Sequence, residues 1–228
     1  MTNLKLDAFD PVTDKLRSRH GAFFRKAFKM DLDTGDIIIE PGWPGHAMLV
    51  YDDRRLIHGQ GKTNGFHKSW LKGTNKAGVY WHMADGANVY RFPWHAYNHV
   101  QHQEIKAKIK FYADAIEKTA TYGYYRALRL QFGDSHFGKS AAERLQKYRA
   151  RFGTPSAWET VDQILHLAKV DKGVKKITCV EAVAITLQLS TQVGTPGFIA
   201  LDGAHTMPNQ LGTYLKNTWG GQHKMAVV

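Results

Sequence analysis

The sequence holds a single cysteine, Cys179, among 228 residues. One thiol excludes an intramolecular disulfide and any zinc site built from several cysteines. The chain also has only seven prolines, and no repeat, low-complexity tract or Ser-rich linker divides it. Because 43% of the residues are hydrophobic and 12% are aromatic, a disordered protein is excluded and one globular domain over residues 1–228 is expected.

Long hydrophobic runs are missing as well. The longest, from Val180 to Leu189, is too short and too polar to span a bilayer, so no integral membrane segment is expected. Residues 1–21 (MTNLKLDAFDPVTDKLRSRHG) lack the apolar region of a signal peptide. We therefore expect a chain made in the cytoplasm, which a dedicated secretion system would have to carry to any site of action outside.

Acidic residues are few relative to basic ones. The 31 Lys and Arg residues against 20 Asp and Glu residues give a net charge of +11 with His neutral. Such an excess attracts polyanions, whether nucleic acid, anionic lipid headgroups or a cell-wall polymer. The charges are spread along the chain, and the densest stretch, Lys139 to Arg151, contains the run RLQKYRAR, which is typical of a solvated helix surface. Charge alone names no partner, and nucleic acid is not the favoured one.

Hydrophobic periodicity predicts an α+β fold in which a small antiparallel sheet packs on a buried helix. Residues 1–34 are expected to form an N-terminal helix, capped by Thr13 or Asp14 and running through Lys29. In residues 35–92, Asp52-Asp53 predicts a tight hairpin. The strands expected there are Ile37–Ile39, His46–Tyr51, Arg54–His58, Val79–Met83 and Asn88–Phe92.

Helical patterns dominate the rest of the chain. Within residues 93–175, apolar residues from Ile105 to Ile116 recur every three or four positions, which predicts a long helix. Further helices are expected at 122–132, 141–152 and 158–168, and residues 133–173 are interpreted as a helical insertion that restricts access to a cleft. Within residues 176–228, Thr178 should cap a buried helix, CVEAVAITLQL, and a last helix should begin near Pro208.

Cys179 is the candidate nucleophile. In the first turn of a helix, backbone N–H groups point toward the side chain, lower a thiol pKa and can hold an oxyanion. A nearby imidazole lowers the thiol pKa further. The alternative is a small core residue, as free cysteines usually are.

Two histidines supply the candidate base. His46 begins one strand of the predicted hairpin and His58 ends the other, so the two rings are expected to lie side by side. In a triad, one ring takes the thiol proton and a second group orients that ring. A chain with 12 histidines contains such spacings by chance, so the interpretation depends on the hairpin and on the helix-capping position of the cysteine.

Two segments resemble a known superfamily. GDIIIEPGWPGHAMLVYDDRRLIHG (35–59) is similar to the histidine block of NlpC-type papain-like hydrolases, and TCVEAV (178–183) is similar to the cysteine motif of their circularly permuted branch. That branch includes YiiX-like and lecithin:retinol acyltransferase-like proteins. Weaker similarities are YGYY from Tyr122 and HTMPNQL from His205. The resemblance covers about residues 35–92 and 176–216. Permuted relatives often have Glu at the position of His58, and they commonly have other residues at the positions of Val180 and Ala182.

The resemblance implies a permuted papain-like fold with Cys179 as nucleophile, His46 as base and His58 as orienting residue. Substrate or oxyanion contacts are further expected from Tyr122, Tyr124 and Thr178. Glu181 lies about 200° around the helix from Cys179, which favours a structural hydrogen bond. His95, His99 and His102 have the spacing of one helix face, but the Glu of an HExxH motif is missing, so a polar surface is the preferred interpretation and no metal site is expected.

The activity implied is hydrolysis of an amide bond in the stem peptides of peptidoglycan, with no metal or organic cofactor. Without a leader, the enzyme would act as a delivered antibacterial effector, for example through a type VI secretion system, with a cognate immunity protein as partner. The alternatives are a lipid acyl hydrolase or acyltransferase, or a protein-directed cysteine hydrolase. A different class is a non-catalytic basic module that binds polyanions, in which Cys179 belongs to the core.

Overall fold

The computed structural model describes eleven parts of the chain: residues 25–26, 32–40, 45–52, 55–60, 65–70, 83–84, 87–123, 130, 139–152, 176–219 and 222–224. Their strands are β1 (Arg25–Lys26), β2 (Ile37–Glu40), β3 (His46–Val50), β4 (Arg55–Gln60), β5 (Gly65–Trp70), β6 (Met83–Ala84), β7 (Asn88–Tyr90) and β8 (Gln222–Lys224). Their α-helices are α1 (His99–Thr119), α2 (Lys139–Phe152), α3 (Cys179–Ser190) and α4 (Pro208–Thr218).

Six of the described strands form one antiparallel sheet in the order β5-β4-β3-β2-β7-β8, and β1 pairs separately with β6. The register places Ile37 opposite Leu49, and Leu49 opposite Ile57. Because side chains alternate across a strand, the sheet has two buried faces. The α+β class and the small antiparallel sheet predicted from periodicity are confirmed.

One face of the sheet packs against the helices. Ile37, Leu49 and Ile57 belong to the main apolar cluster together with residues of α1 and α3. The opposite face carries a second cluster, whose buried members are Ile38, Met48, Val50, Leu56, Ala87 and Val89. The helix α3 therefore lies directly against the central strands, where its first turn meets the beginning of β3.

All twelve residues of α3 are buried, which agrees with the prediction of a helix that is apolar nearly all round. The buried side-chain amide of Gln188 within it donates to the carbonyls of Ile199 and Leu201, at 2.8 Å each. On another side, α2 packs against α3 through Leu145. Among the described helices, none combines the length and apolar character needed to cross a membrane.

The helix predicted through Lys29 is wrong at Arg25 and Lys26, the two residues of it that the structure describes. Arg25 and Lys26 are extended and pair with Ala84 and Met83, because backbone hydrogen bonds to a distant segment replace the local helical ones. The remainder of that helix lies outside the described residues.

The helix predicted at 122–132 is wrong at its start. Tyr122 forms a parallel bridge with Ile177, and Thr121 forms an antiparallel bridge with Gly65. The helix predicted at 158–168 lies outside the described residues, as does most of the strand predicted at Val79–Met83. Besides β1, where a helix was predicted, the strands β5 and β8 were not predicted.

Candidate active site

Cys179 is the first residue of α3, and the predicted cap is confirmed. The Thr178 hydroxyl accepts a hydrogen bond from the Glu181 amide at 3.1 Å, and the Thr178 carbonyl accepts the first helical bond, from Ala182. A capping side chain satisfies one of the backbone donors that a helix start leaves without a helical partner. The Thr178 side chain is thus used by the helix itself, and the thiol lies where the remaining first-turn amides point.

The Cys179 thiol is enclosed by donors from three segments. It receives hydrogen bonds from the Ala47 amide of β3, from the Tyr122 hydroxyl and from the Val180 amide of α3. These donors stabilise a thiolate, but the cysteine is only 4% exposed. Burial disfavours the charged form more strongly than the donors favour it, so the pKa of the Cys179 thiol is raised.

The raised pKa corrects the expectation that the helix start and an imidazole would depress it. The sequence shows the helix start, whereas the desolvation comes from distant segments folded over the sulfur. The resting sulfur at neutral pH is therefore a thiol, and any nucleophilic attack needs a base that removes the proton during the reaction.

His46 and His58 lie together, as the hairpin predicts. The Nε2 atom of His46 is 3.3 Å from the Nδ1 atom of His58, and the rings meet edge to face with centroids 5.5 Å apart. His58 is buried and His46 is half-buried, so one ring can be held in place while the other reaches a reacting group. His46 directly precedes Ala47, whose amide contacts the sulfur. Successive side chains alternate across a strand, so Ala47 faces the helices, whereas His46 shares the alternation of Met48 and Val50 on the opposite face.

Gly59 makes room for Tyr122, a role that the sequence analysis did not identify. A Cβ atom at Gly59 would lie 2.4 Å from Cδ2 of Tyr122, and the Tyr122 ring packs edge to face on Phe66 with centroids 5.7 Å apart. Only glycine tolerates such a close approach. The position of the Tyr122 hydroxyl on the thiol thus depends on the residue that follows His58.

A shallow depression with a free volume of about 10 Å³ lies against Cys179. We call it the Cys179 depression. Its lining is Gly45, Tyr122, Leu130, Thr178, Cys179, Val180, Thr206, Met207 and Pro208. The segment before α4 therefore supplies one wall, and Gly45, at φ 73°, brings the beginning of β3 to the other.

The remaining candidates lie in different places. Tyr124 lies outside the described residues. Glu181 accepts a hydrogen bond from the Tyr148 hydroxyl of α2 at 2.8 Å, which confirms the structural role predicted for it. His95 and His99 are exposed, and Nε2 of His102 lies 2.6 Å from the Trp94 carbonyl oxygen.

No group of three or more metal-ligating side chains comes together within the described parts of the chain. When the chain is compared with protein-family models, with curated proteins and with solved structures, no match is found. The chemistry of the site therefore has to be argued from its own geometry.

Proposed function

We propose that the protein is a cysteine hydrolase with a circularly permuted papain-like arrangement, in which Cys179 is the nucleophile and His46 the base. One observation carries this proposal: the thiol at the start of a buried helix accepts the Ala47 amide, and the preceding residue, His46, touches a second histidine at 3.3 Å. The nucleophile, base and orienting group proposed here come from three adjoining elements, α3, β3 and β4, and together they are the groups that acyl transfer by a cysteine needs.

The reaction proposed is acyl transfer from an amide. His46 takes the Cys179 proton as the sulfur attacks the carbonyl carbon, and the amides of the first turn of α3 stabilise the oxyanion. The C–N bond then breaks, the amine leaves with the proton from His46, and an acyl thioester remains. Water, deprotonated by His46, hydrolyses the thioester and restores the thiol. The acyl group leaves as a carboxylic acid.

The substrate proposed is an amide bond in a peptidoglycan stem peptide. This choice is supported by the resemblance of residues 35–59 and 178–183 to cell-wall hydrolases, and by a net charge of +11 that attracts an anionic polymer. Delivery into a competing cell, with an immunity protein in the producer, would fit an enzyme of this kind. That part of the proposal rests on the resemblance.

The non-catalytic alternative has an observation in its favour. A cysteine that is 4% exposed, with a raised pKa, is also what an inert core residue would show. In that case the net charge would serve polyanion binding that weakens steeply with salt. The two functions differ in whether the sulfur ever becomes acylated.

The deciding experiment is digestion of purified sacculi of several stem chemistries, with mass spectrometry of the soluble fragments. We expect the wild-type protein to release fragments with new peptide termini and Cys179→Ala to release none. If folded wild-type protein releases nothing from any sacculus, the cell-wall substrate is excluded, and lipid and protein amides or esters become the substrates to test.

A further inference from the structure

The Cys179 depression has a chemical character that restricts the acyl group bonded to the sulfur. Of the lining residues that the structure describes, none carries a charge. Leu130, Val180, Met207 and Pro208 present apolar side chains, and the acyl carbon of a thioester on Cys179 would lie among them. The acyl side of the substrate therefore meets an uncharged surface.

The three hydroxyl groups in the lining are already engaged. The Thr178 hydroxyl holds the Glu181 amide, and the Thr206 hydroxyl donates to the Asp202 carbonyl at 2.6 Å. The Tyr122 hydroxyl donates to the thiol. A carboxylate placed in the depression would lose its water and gain neither a cation nor an unengaged hydroxyl group from the described lining residues, which is costly.

The charged residues just beyond the lining add no attraction for an anion. Glu181, on α3, is held by the Tyr148 hydroxyl. Asp202 is buried and is matched by the guanidinium of Arg144 and by Nδ1 of His205, which lies 2.6 Å from its carboxylate. The guanidinium of Arg144 is therefore already paired with an acid.

The size of the depression sets a second limit. Its free volume is about 10 Å³, which is on the order of the space for one water molecule. A methyl group is of that size, whereas an extended fatty acyl chain is far larger.

We propose that the Cys179 depression is the acyl-side subsite and that it selects a compact, uncharged residue such as alanine. This inference rests on the proposed hydrolase function and names the bond within it. A stem-peptide amide whose carbonyl belongs to alanine fits the subsite. The amide of γ-linked glutamate does not, because its free carboxylate would enter an uncharged depression.

Three synthetic thioesters with one common leaving thiol test the subsite in the full-length protein: N-acetyl-alanyl, N-acetyl-γ-D-glutamyl and decanoyl. In each reaction the Cys179 sulfur bonds to the acyl carbon, the old C–S bond breaks, and the Cys179 proton passes to the departing thiolate. Thiol release gives the rate, and intact mass spectrometry, with Cys179→Ala as control, gives the acylated residue. We expect the alanyl donor to react at least about tenfold faster than the other two.

The outcomes separate the two proposals. If the γ-glutamyl or decanoyl donor acylates Cys179 as fast as the alanyl donor, the proposed selectivity of the subsite is wrong, whereas the proposed hydrolase function is supported. If no donor acylates Cys179 in the folded protein, both are wrong.

A charge introduced into the lining provides an independent test. Met207→Lys places an ammonium group in the depression and should raise the ratio of γ-glutamyl to alanyl acylation at least about tenfold. Asn209→Lys adds the same charge at an exposed position of α4 outside the lining, so it should leave the ratio unchanged. An equal change in both variants would contradict the subsite. If Met207→Lys does not fold, the ratio of γ-glutamyl to alanyl acylation rates in the wild-type protein tests the subsite.

Discussion

The proposed chemistry depends on a thiol that is protonated at rest and on a histidine that would deprotonate it. Replacing His46 by alanine should lower kcat for fragment release by about 10²- to 10⁴-fold, with the melting temperature little changed because the ring is half-buried. The matched control is His99→Ala, an exposed histidine of α1, which should keep full activity. Undiminished release by His46→Ala would remove this residue from the mechanism.

His58 is assigned a positioning role, since it contacts His46 and not the sulfur in the contacts described above. We expect His58→Ala to shift the pH dependence of kcat, and His58→Asn, which keeps a hydrogen-bonding group, to restore part of the wild-type profile. A loss of stability with an unchanged pH profile would show that His58 only packs.

The Cys179 thiol should also make folding stability depend on pH. Its pKa is raised in the folded chain, whereas the unfolded thiol titrates near its ordinary value of about 8.5. The folded state keeps a proton that the unfolded state releases, so this contribution is complete below the unfolded pKa and is lost as pH rises toward the folded pKa. The melting temperature of the wild type should therefore fall more steeply than that of Cys179→Ser between about pH 8 and pH 10. Parallel curves would mean that the thiol is not desolvated.

At this scale, the features that sequence predicts well are short-range. The Thr178 cap and the contact between His46 and His58 each follow from a helix start or a hairpin register. The direction of the thiol pKa was not predictable, because Tyr122 and Ala47 reach the sulfur from segments far away in the sequence.

At the scale of elements, the contact between Gly59 of β4 and Tyr122, in the segment after α1, fixes the position of the Tyr122 hydroxyl near Cys179. Gly59→Ala would drive a methyl group into the Tyr122 ring, since the two atoms would be 2.4 Å apart. We expect a loss of about 1–3 kcal/mol in the free energy of unfolding, with slower alkylation of Cys179 as the Tyr122 hydroxyl is displaced.

A double-mutant cycle measured by urea unfolding checks this expectation. In a Tyr122→Leu background the space beside residue 59 should be free, and Gly59→Ala should then cost little. An equal cost in both backgrounds would locate the strain elsewhere.

Elements with strong periodicity were predicted, and those without it were not. The apolar spacing in α1 and the β-branched run of β2 are visible in the sequence alone. By contrast, β5 (GFHKSW) and β8 (QHK) carry few apolar residues, and their partners on β4 and β7 make them strands. The helix predicted through Lys29 fails for the same reason, because pairing with β6 overrides a local pattern.

For the molecule as a whole, the two edges of the six-stranded sheet are covered in different ways. The strand β5 is tied to α1 by ion pairs of Lys68 with Asp114 and Glu117. At the other end, β8 covers β7 through three residue pairs. The α+β class follows from the sequence, but this edge arrangement depends on contacts between distant residues. Lys68 pairs with acids that lie 46 and 49 positions further along the chain, and β7 and β8 are more than a hundred positions apart.

Removing β8 should therefore change solution behaviour. In a chain ending at Trp219, the outer backbone groups of β7 are left without their strand partner, and unprotected sheet edges recruit other chains. We expect concentration-dependent self-association by light scattering, while Gln222→Ala, which retains the backbone, should behave as the wild type. If the shortened chain does not associate, the edge is covered by other means.

The complete burial of α3 has a consequence for how this protein can be altered. Each of its twelve residues fills the interior, so exchanging any of them disturbs packing as well as chemistry. The opposite wall of the Cys179 depression consists of Thr206, Met207 and Pro208, the first residue of α4, and only Met207 among these is half-buried rather than buried. Random libraries aimed at changing the depression should therefore vary Met207 and leave α3 intact.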